Sequence, residues 1–226
     1  MNKFKPKLEI LPPSQISLWS KLKPIQDFGF VLYGGTAIAL RLGHRPSVDF
    51  DFFNSADVGP ARLREALPFL QTSEVLQEHK NTFEVLTSSG VKVSFFGGLD
   101  FGRVGEPEQT EDGVITVASL DDLMATKLKV ILQRTEAKDY QDIAAMIRAG
   151  VRVDLGLASA ERMYHPTFPV IHSLKAMTYF EGGDLEKRLA DGDRKELIAA
   201  ASRVKPPLPH VALNPDLSPD TQIPEL

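Results

Sequence analysis

The sequence predicts a mixed α+β (α/β) fold, in which a mixed β-sheet is flanked by helices and followed by a helical C-terminal part. Short apolar runs typical of buried strands, such as Phe30–Tyr33, alternate with helix-like segments over residues 13–150. Beyond residue 151 the two patterned segments, 157–165 and 193–204, are both helix-like. This order of elements favours one sheet with its own helices, to which further helices are added.

The first predicted helix opens at Ser14 and closes near Pro24. Four apolar side chains are spaced to form its buried face: Ile16, Leu18, Trp19 and Leu22. A short buried strand at Phe30–Tyr33 then leads into a second helix. That helix is expected to begin near Thr36 and to end by Gly43, because glycine commonly follows a helix C-terminus.

The remaining elements follow from the same two patterns, since period-two alternation predicts strands and longer periodic runs predict helices. In chain order they are a strand at 47–53, a helix at 60–70, a hairpin at 82–96 that turns at 88–90, a strand at 114–119, and helices at 119–134 and 137–150. We expect three regions: a core at 1–118, a helical part at 119–205 and a proline-rich tail at 206–226.

Composition excludes several kinds of site. A chain of 226 residues with 42% hydrophobic residues can bury a sizeable core, and the lack of cysteine excludes disulfides, thiolate metal sites and cysteine nucleophiles. The net charge of −4 argues against a surface wholly devoted to nucleic acid, but it allows a local basic cleft. No secretory h-region and no membrane-length apolar run occur, so we expect a soluble, cytoplasmic protein without membrane partners.

Two carboxylates, Asp49 and Asp51, lie in an otherwise apolar strand. Side chains alternate along a strand, so Phe50 and Phe52 share one face while the two aspartates project in parallel from the other. Such a pair can hold a divalent cation, because Mg²⁺ takes one or two carboxylates together with substrate phosphates. The alternative is a half-exposed strand whose acidic residues face water.

A glycine pair, Gly34 and Gly35, stands at the predicted strand-to-helix turn. Glycine permits unusual backbone angles and close approach of a ligand. Thr36 is a plausible N-cap, and the free N–H groups of a helix N-terminus favour phosphate. A tight turn that needs glycine only for geometry is the alternative. A turn that can bind phosphate, followed by a strand with paired carboxylates, favours metal-assisted nucleotide chemistry.

A second charged segment spans residues 125–143. As one continuous helix it would place four charged side chains near one face: Lys127, Arg134, Lys138 and Asp142. Asp139 would fall near the apolar stripe and would need Lys127 or Arg134 as a cationic partner. Lys127 could instead neutralise a triphosphate. The alternative is a solvated charged face.

His44 and Arg45 precede the aspartate strand. They could orient nucleotide or acceptor phosphates, because arginine makes bidentate contacts. Equally, they could only cap the preceding helix through its dipole.

The stretches "GGTAIALRLGHRPSVDFDFF" and "ATKLKVILQRTEAKDYQDI" together resemble the AbiEii/AbiGii toxin-type nucleotidyltransferases of the DNA polymerase β-like superfamily. The resemblance covers roughly residues 28–150. It implies a nucleotidyltransferase-type sheet and metal-dependent transfer of a nucleoside monophosphate from a nucleoside triphosphate to an acceptor, tRNA or protein. It also implies a toxin-like component whose partner is a cognate antitoxin encoded by a neighbouring gene.

The resemblance assigns expected roles to the residues at its motif positions. The triphosphate is expected at Gly34, Gly35 and Thr36, and Mg²⁺ or Mn²⁺ at Asp49 and Asp51. The second motif supplies a phosphate-contacting Lys127, the carboxylate Asp139, and Arg134 and Lys138 as substrate-binding residues. Whether Asp139 acts as base, ligand or structural partner stays open.

The third carboxylate common in this superfamily is missing from its expected strand, "VKVSFF", which offers Ser94 instead. Glu84 on the partner strand could substitute if it points inward, and Asp139 is another candidate. Two alternatives to an active nucleotidyltransferase follow. One is a catalytically weak nucleotide- or partner-binding module of the same fold, and the other is a glycosyltransferase that uses Asp-x-Asp for manganese.

Overall fold

The computed structural model describes residues 2–219, which divide into two compact units. The first unit contains residues 2–102, 106–119 and 214–219, and it holds every strand found in the described part of the chain. The second unit contains residues 103–105 and 120–213 and is helical.

The first unit is built on one mixed sheet. Its strands are β1 (Lys3–Phe4), β2 (Val31–Tyr33), β3 (Asp49–Phe53), β4 (Glu74–His79), β5 (Thr82–Leu86), β6 (Lys92–Phe96), β7 (Glu108–Thr110) and β8 (Thr116–Val117). They lie in the order β1-β7-β8-β2-β3-β6-β5-β4. Strand β3 pairs antiparallel with β2 and parallel with β6, and β5 pairs antiparallel with β6. This mixed sheet with flanking helices confirms the predicted fold class.

The helices of the first unit are α1 (Pro13–Trp19), α2 (Gly34–Leu42) and α3 (Pro60–Ala66), with 3-10 segments at Leu8–Ile10, Ser20–Phe28 and Pro68–Thr72. Helix α1 begins at Pro13 rather than at Ser14, because proline needs no N–H partner in the first turn. The chain continues through Pro24 as a 3-10 helix. The predicted buried position of Ile16 is wrong: its side chain is exposed, whereas Gln15 is buried.

Three strands were not predicted from the sequence. Strands β1 and β7 are only two and three residues long, too short for a period to be visible. Strand β4 forms an edge of the sheet, and all six of its residues are exposed. An edge strand with both faces in water carries no apolar alternation, so its sequence looks like a connection.

The second unit contains six helices within the described residues: α4 (Leu120–Val130), α5 (Ala137–Arg148), α6 (Val153–Met163), α7 (Val170–Ala176), α8 (Leu185–Arg188) and α9 (Asp191–Arg203). The segment 125–143 is therefore not one continuous helix, and the face assumed for it is wrong. The chain reverses direction between α4 and α5. At the start of α5, the free N–H of Ala137 donates a hydrogen bond to Asp184 Oδ1 at 2.6 Å.

The units differ from the predicted regions in two places. Residues 103–105 belong to the helical unit, where Asp122 Oδ1 accepts a hydrogen bond from Val104 N at 2.7 Å. The tail is not wholly separate: 206–213 belong to the helical unit, while 214–219 lie with the sheet, where Leu217 is buried and its N–H donates to Ser55 Oγ. Residues 220–226 of the predicted tail lie outside the described residues. None of the described helices has the length and apolar character to cross a membrane.

Candidate active site

The turn between β2 and α2 brings backbone against a carboxylate. Tyr33, the last residue of β2, pairs with Asp51 on β3, and α2 begins directly afterwards at Gly34. Gly34 has φ +75°, and a Cβ added there would lie 2.8 Å from Asp51 Oδ2. The left-handed backbone therefore favours glycine here, and a Cβ at this position would force the Asp51 carboxylate to shift.

The alternation predicted for the aspartate strand is confirmed. Phe50 and Phe52 are fully buried on one face, whereas Asp49 and Asp51 are half-buried on the other. The two carboxylates therefore project from the same side of the sheet, beside the N-terminus of α2. The positive end of the helix dipole favours negative charge at this place, whether from a side chain or from a ligand.

Thr36 does not cap α2. The N-cap residue is Tyr33, and Thr36 is the third residue of the helix, with a buried side chain. Its hydroxyl hydrogen-bonds to the backbone carbonyl of Asp49 and lies 2.9 Å from Ser47 Oγ. The side chain thus fixes the start of β3, so any phosphate contact from Thr36 would come from its backbone N–H.

The donors on this face suit a hard divalent cation. Two aspartates supply oxygen ligands, and they lie beside a helix N-terminus whose free N–H groups suit phosphate. Over residues 2–219, no group of three or more His, Cys, Asp or Glu side chains is arranged to hold a metal ion. Asp49 and Asp51 would hold Mg²⁺ as a two-carboxylate site completed by substrate phosphates and water.

Glu84 does point to the aspartate face. The register places Ser94 on β6 opposite Asp51, and Glu84 on β5 opposite Ser94, so all three share one side of the sheet. Ser94 is fully buried, and its hydroxyl donates to Glu84 Oε1 at 3.1 Å. Glu84 is therefore two strands away from Asp51, with Ser94 between them.

Sequence reasoning overlooked Lys92, which pairs with Asp49 in the β3–β6 register. Its ammonium lies 2.7 Å from Glu84 Oε1. The hydrogen bond to Glu84 raises the pKa of Lys92 above its ordinary value despite burial, and the charges of Glu84, Asp51 and Asp49 add to this effect. The two-residue period could have revealed it, since the polar Lys92 and Ser94 alternate with the apolar Val93 and Phe95.

A second cluster lies in the helical unit between α4 and α5. Lys127 Nζ contacts Asp139 Oδ1 at 2.6 Å and Asp142 Oδ2 at 2.7 Å, and both carboxylates are fully buried. Arg134 Nε adds a contact to Asp139 Oδ2 at 2.8 Å. Two cations and two carboxylates make the cluster formally neutral, which lowers the cost of burying its charges.

The buried cluster changes the pKa of Asp139. Burial would raise the pKa of Asp139, but the hydrogen bonds and charges of Arg134 and Lys127 outweigh it and hold that pKa below its ordinary value. The stability gained is present above the ordinary pKa of aspartate and is lost as the pH falls and Asp139 is protonated. Asp142, which the sequence placed near one face with Lys127, stands one helical turn after Asp139 and contacts Lys127.

The remaining predicted residues lie at the start of α2, after its C-terminus and on α5. Gly35 follows Gly34 in the first turn of α2, and Lys138 is exposed and pairs with Glu136 at 2.7 Å. His44 and Arg45 follow the C-terminus of α2, where Arg45 Nη1 donates to the carbonyl of Pro46. Substrate binding by these residues stays a prediction, as does phosphate contact by Lys127, whose ammonium is held by two carboxylates.

Gly34→Ala should weaken metal binding on this face. The new Cβ would displace Asp51, and the left-handed backbone would be strained, so we expect about 1 kcal/mol less stability and about tenfold weaker Mn²⁺ binding. Electron paramagnetic resonance of Mn²⁺ measures the affinity, and urea unfolding measures the stability.

Gly90→Ala is the matched control for this substitution. Gly90 has φ +77°, but a Cβ there would meet no atom within 4 Å. The control should therefore lose a similar amount of stability and keep its Mn²⁺ affinity. Equal Mn²⁺ affinities in both variants would contradict the role of the Gly34–Asp51 contact.

The chain is similar to a curated relative and to a solved structure. A curated relative, an uncharacterized protein of Aquifex aeolicus (strain VF5), is 32% identical over 121 residues, which is 53% of this chain. The chain spans 58% of the length of that relative. Among solved structures, the solution structure of the antibiotic-resistance factor ANT(2'')-Ia superimposes with a TM-score of 0.48 at 14% identity, over 66% of this chain and 90% of the other.

The family comparison covers most of the chain. A family model described as "Nucleotidyl transferase AbiEii toxin, Type IV TA system" matches residues 23–210. The match includes the glycine turn, the aspartate strand, the sheet face with Lys92 and the buried cluster of the helical unit. This chain therefore belongs to the AbiEii nucleotidyl transferase toxin family.

Proposed function

We propose that the protein is a metal-dependent nucleotidyltransferase, which moves a nucleoside monophosphate from a nucleoside triphosphate to an acceptor. The observation that carries the proposal is the contact between the Gly34 turn and Asp51, where a Cβ would lie 2.8 Å from the carboxylate oxygen. This contact puts a helix N-terminus suited to phosphate beside two carboxylates suited to Mg²⁺ or Mn²⁺.

The residues of this face have distinct parts in the proposed reaction. The first N–H groups of α2 bind triphosphate oxygens, and Asp49 and Asp51 hold the cation. The cation supplies charge neutralisation for the phosphates. The acceptor hydroxyl oxygen bonds to the α-phosphorus and gives its proton to water, while the bond from the α-phosphorus to its bridging oxygen breaks and pyrophosphate departs in line with the attack. The buried Thr36 keeps Asp49 in place through its hydrogen bond to the strand.

The family description supports a biological setting for this reaction. The matching model describes toxins of type IV toxin–antitoxin systems. We therefore extend the proposal to a toxin-like component whose cognate antitoxin is encoded by a neighbouring gene, with RNA such as tRNA, or a protein, as acceptor. The family match gives no support to the glycosyltransferase alternative.

A catalytically weak binding module is the second candidate. It is favoured by Ser94, which is fully buried where a third carboxylate is expected, and by the two-strand separation of Glu84 from Asp51. Serine is a much poorer base and metal ligand than a carboxylate. This candidate predicts triphosphate binding without turnover.

Label transfer separates the two candidates. The protein is incubated with each nucleoside triphosphate labelled at the α-phosphate, with Mg²⁺ or Mn²⁺, and with total tRNA or total cell protein. We expect label on one acceptor class, lost on addition of a chelator, and no label from a γ-labelled triphosphate, since the γ-phosphate leaves in pyrophosphate. Metal-dependent nucleotide binding without transfer to either acceptor would favour the binding module.

A further inference from the structure

Lys92 stands in the interior of the sheet on the aspartate face. It is the first residue of β6, which lies between β3 and β5, and the parallel register pairs it directly with Asp49. Neighbouring strands are about 4.8 Å apart, so a lysine side chain easily reaches a ligand held between them. Lys92 is therefore a cation on the same surface as the proposed metal site, and in the same compact unit.

The ammonium of Lys92 pairs with a residue of β5, on the opposite side of β6 from Asp49. Glu84 Oε1 lies 2.7 Å from Lys92 Nζ and also accepts the hydroxyl hydrogen of Ser94. The Lys92 side chain is 38% exposed, whereas that of Glu84 is 14% exposed. The carboxylate is thus the fixed member of the pair, and the cation is the member that solvent or a ligand can reach.

Stability alone is a weak reason for this pair. A partly exposed ion pair contributes little to folding, and lysine is depleted in strands. The charge balance of the face supplies a better reason. Asp49, Asp51 and Glu84 carry three negative charges on this face and Lys92 carries one positive charge, so one divalent cation brings these four groups to zero, and Lys92 is the cation among them that a bound triphosphate can contact.

We propose that Lys92 is a triphosphate-binding residue of this face, with Glu84 holding its ammonium beside the phosphates of the bound nucleotide. The inference rests on the proposed function and adds a residue to the same site. Lysine acts on phosphate as a point charge on a flexible stem, so a small rotation of the side chain can bring it into contact without breaking the sheet.

The test uses magnesium tripolyphosphate as a base-independent probe. Lys92→Met should bind it about tenfold more weakly than the wild type by isothermal titration calorimetry, while Lys92→Arg should keep most of the affinity. For orthophosphate, which has a single phosphorus, the affinities of the wild type and the two variants should differ much less. Lys80→Met is the matched control, because Lys80 is 81% exposed in the β4–β5 turn and pairs weakly with Asp57.

Binding of Mn²⁺ alone separates phosphate contact from structural damage. Removing a positive charge near two carboxylates should leave Mn²⁺ affinity unchanged or raised in Lys92→Met. A fall in Mn²⁺ affinity would indicate a distorted strand and would overturn the proposal. So would wild-type affinity of Lys92→Met for tripolyphosphate. Failure of label transfer in a wild-type protein that shows these Lys92 effects would instead count against the proposed reaction.

Discussion

Asp51→Asn is expected to reduce nucleotide transfer at least about a hundredfold. Loss of a residue that only orients a metal ligand typically costs about 10- to 100-fold, and a proposed ligand should cost no less. Asparagine has nearly the volume of aspartate but no charge, so the side chain still occupies the space beside Gly34. Label transfer from α-labelled triphosphate measures the rate, and Mn²⁺ titration measures the affinity for the cation.

Asp57→Asn is the control for charge and amide substitution. Asp57 lies in the loop after β3, is exposed, and pairs with Lys80 at 3.7 Å. Its replacement should leave both transfer and Mn²⁺ affinity at the wild-type level. If Asp51→Asn transferred label at the wild-type rate, Asp51 would be only a structural partner of the α2 N-terminus, and the proposed metal site would be wrong.

Lys127→Met is expected to destabilise the helical unit by about 3 kcal/mol. Its ammonium bridges Asp139 and Asp142, both fully buried, and removal of one member of a buried ion pair leaves an uncompensated charge. Arg134 still contacts Asp139, which keeps the loss at the lower end of the usual range. Urea unfolding followed by circular dichroism measures the change, because the unit is helical.

Lys129→Met provides the comparison on the same helix. Lys129 Nζ lies 5.7 Å from the centre of the Tyr164 ring, and such a contact contributes about 1 kcal/mol or less. The double variant Lys127→Met/Asp142→Asn should recover part of the stability lost by Lys127→Met, since it also removes one of the two buried carboxylate charges that Lys127 contacts. A Lys127→Met protein as stable as Lys129→Met would show that the buried cluster contributes little.

The aspartate strand and the glycine turn could be predicted because their signals are local. Alternation within five residues puts Asp49 and Asp51 on one face, and a glycine pair between a strand and a helix marks the turn. The same reasoning missed strand β4, whose exposed residues have no apolar period. It also placed Thr36 at the N-cap, although the helix begins two residues earlier.

The sequence by itself determined the fold class, the family-like motifs and the pairing of two carboxylates on one strand face. Only the tertiary structure decided which charges meet. Lys92 and Glu84 join the aspartates through the register of β3, β6 and β5, and Lys127 reaches Asp139 and Asp142 because the chain reverses between α4 and α5. Strand register and chain reversal bring together residues distant in sequence, and periodicity within one segment carries no information about either.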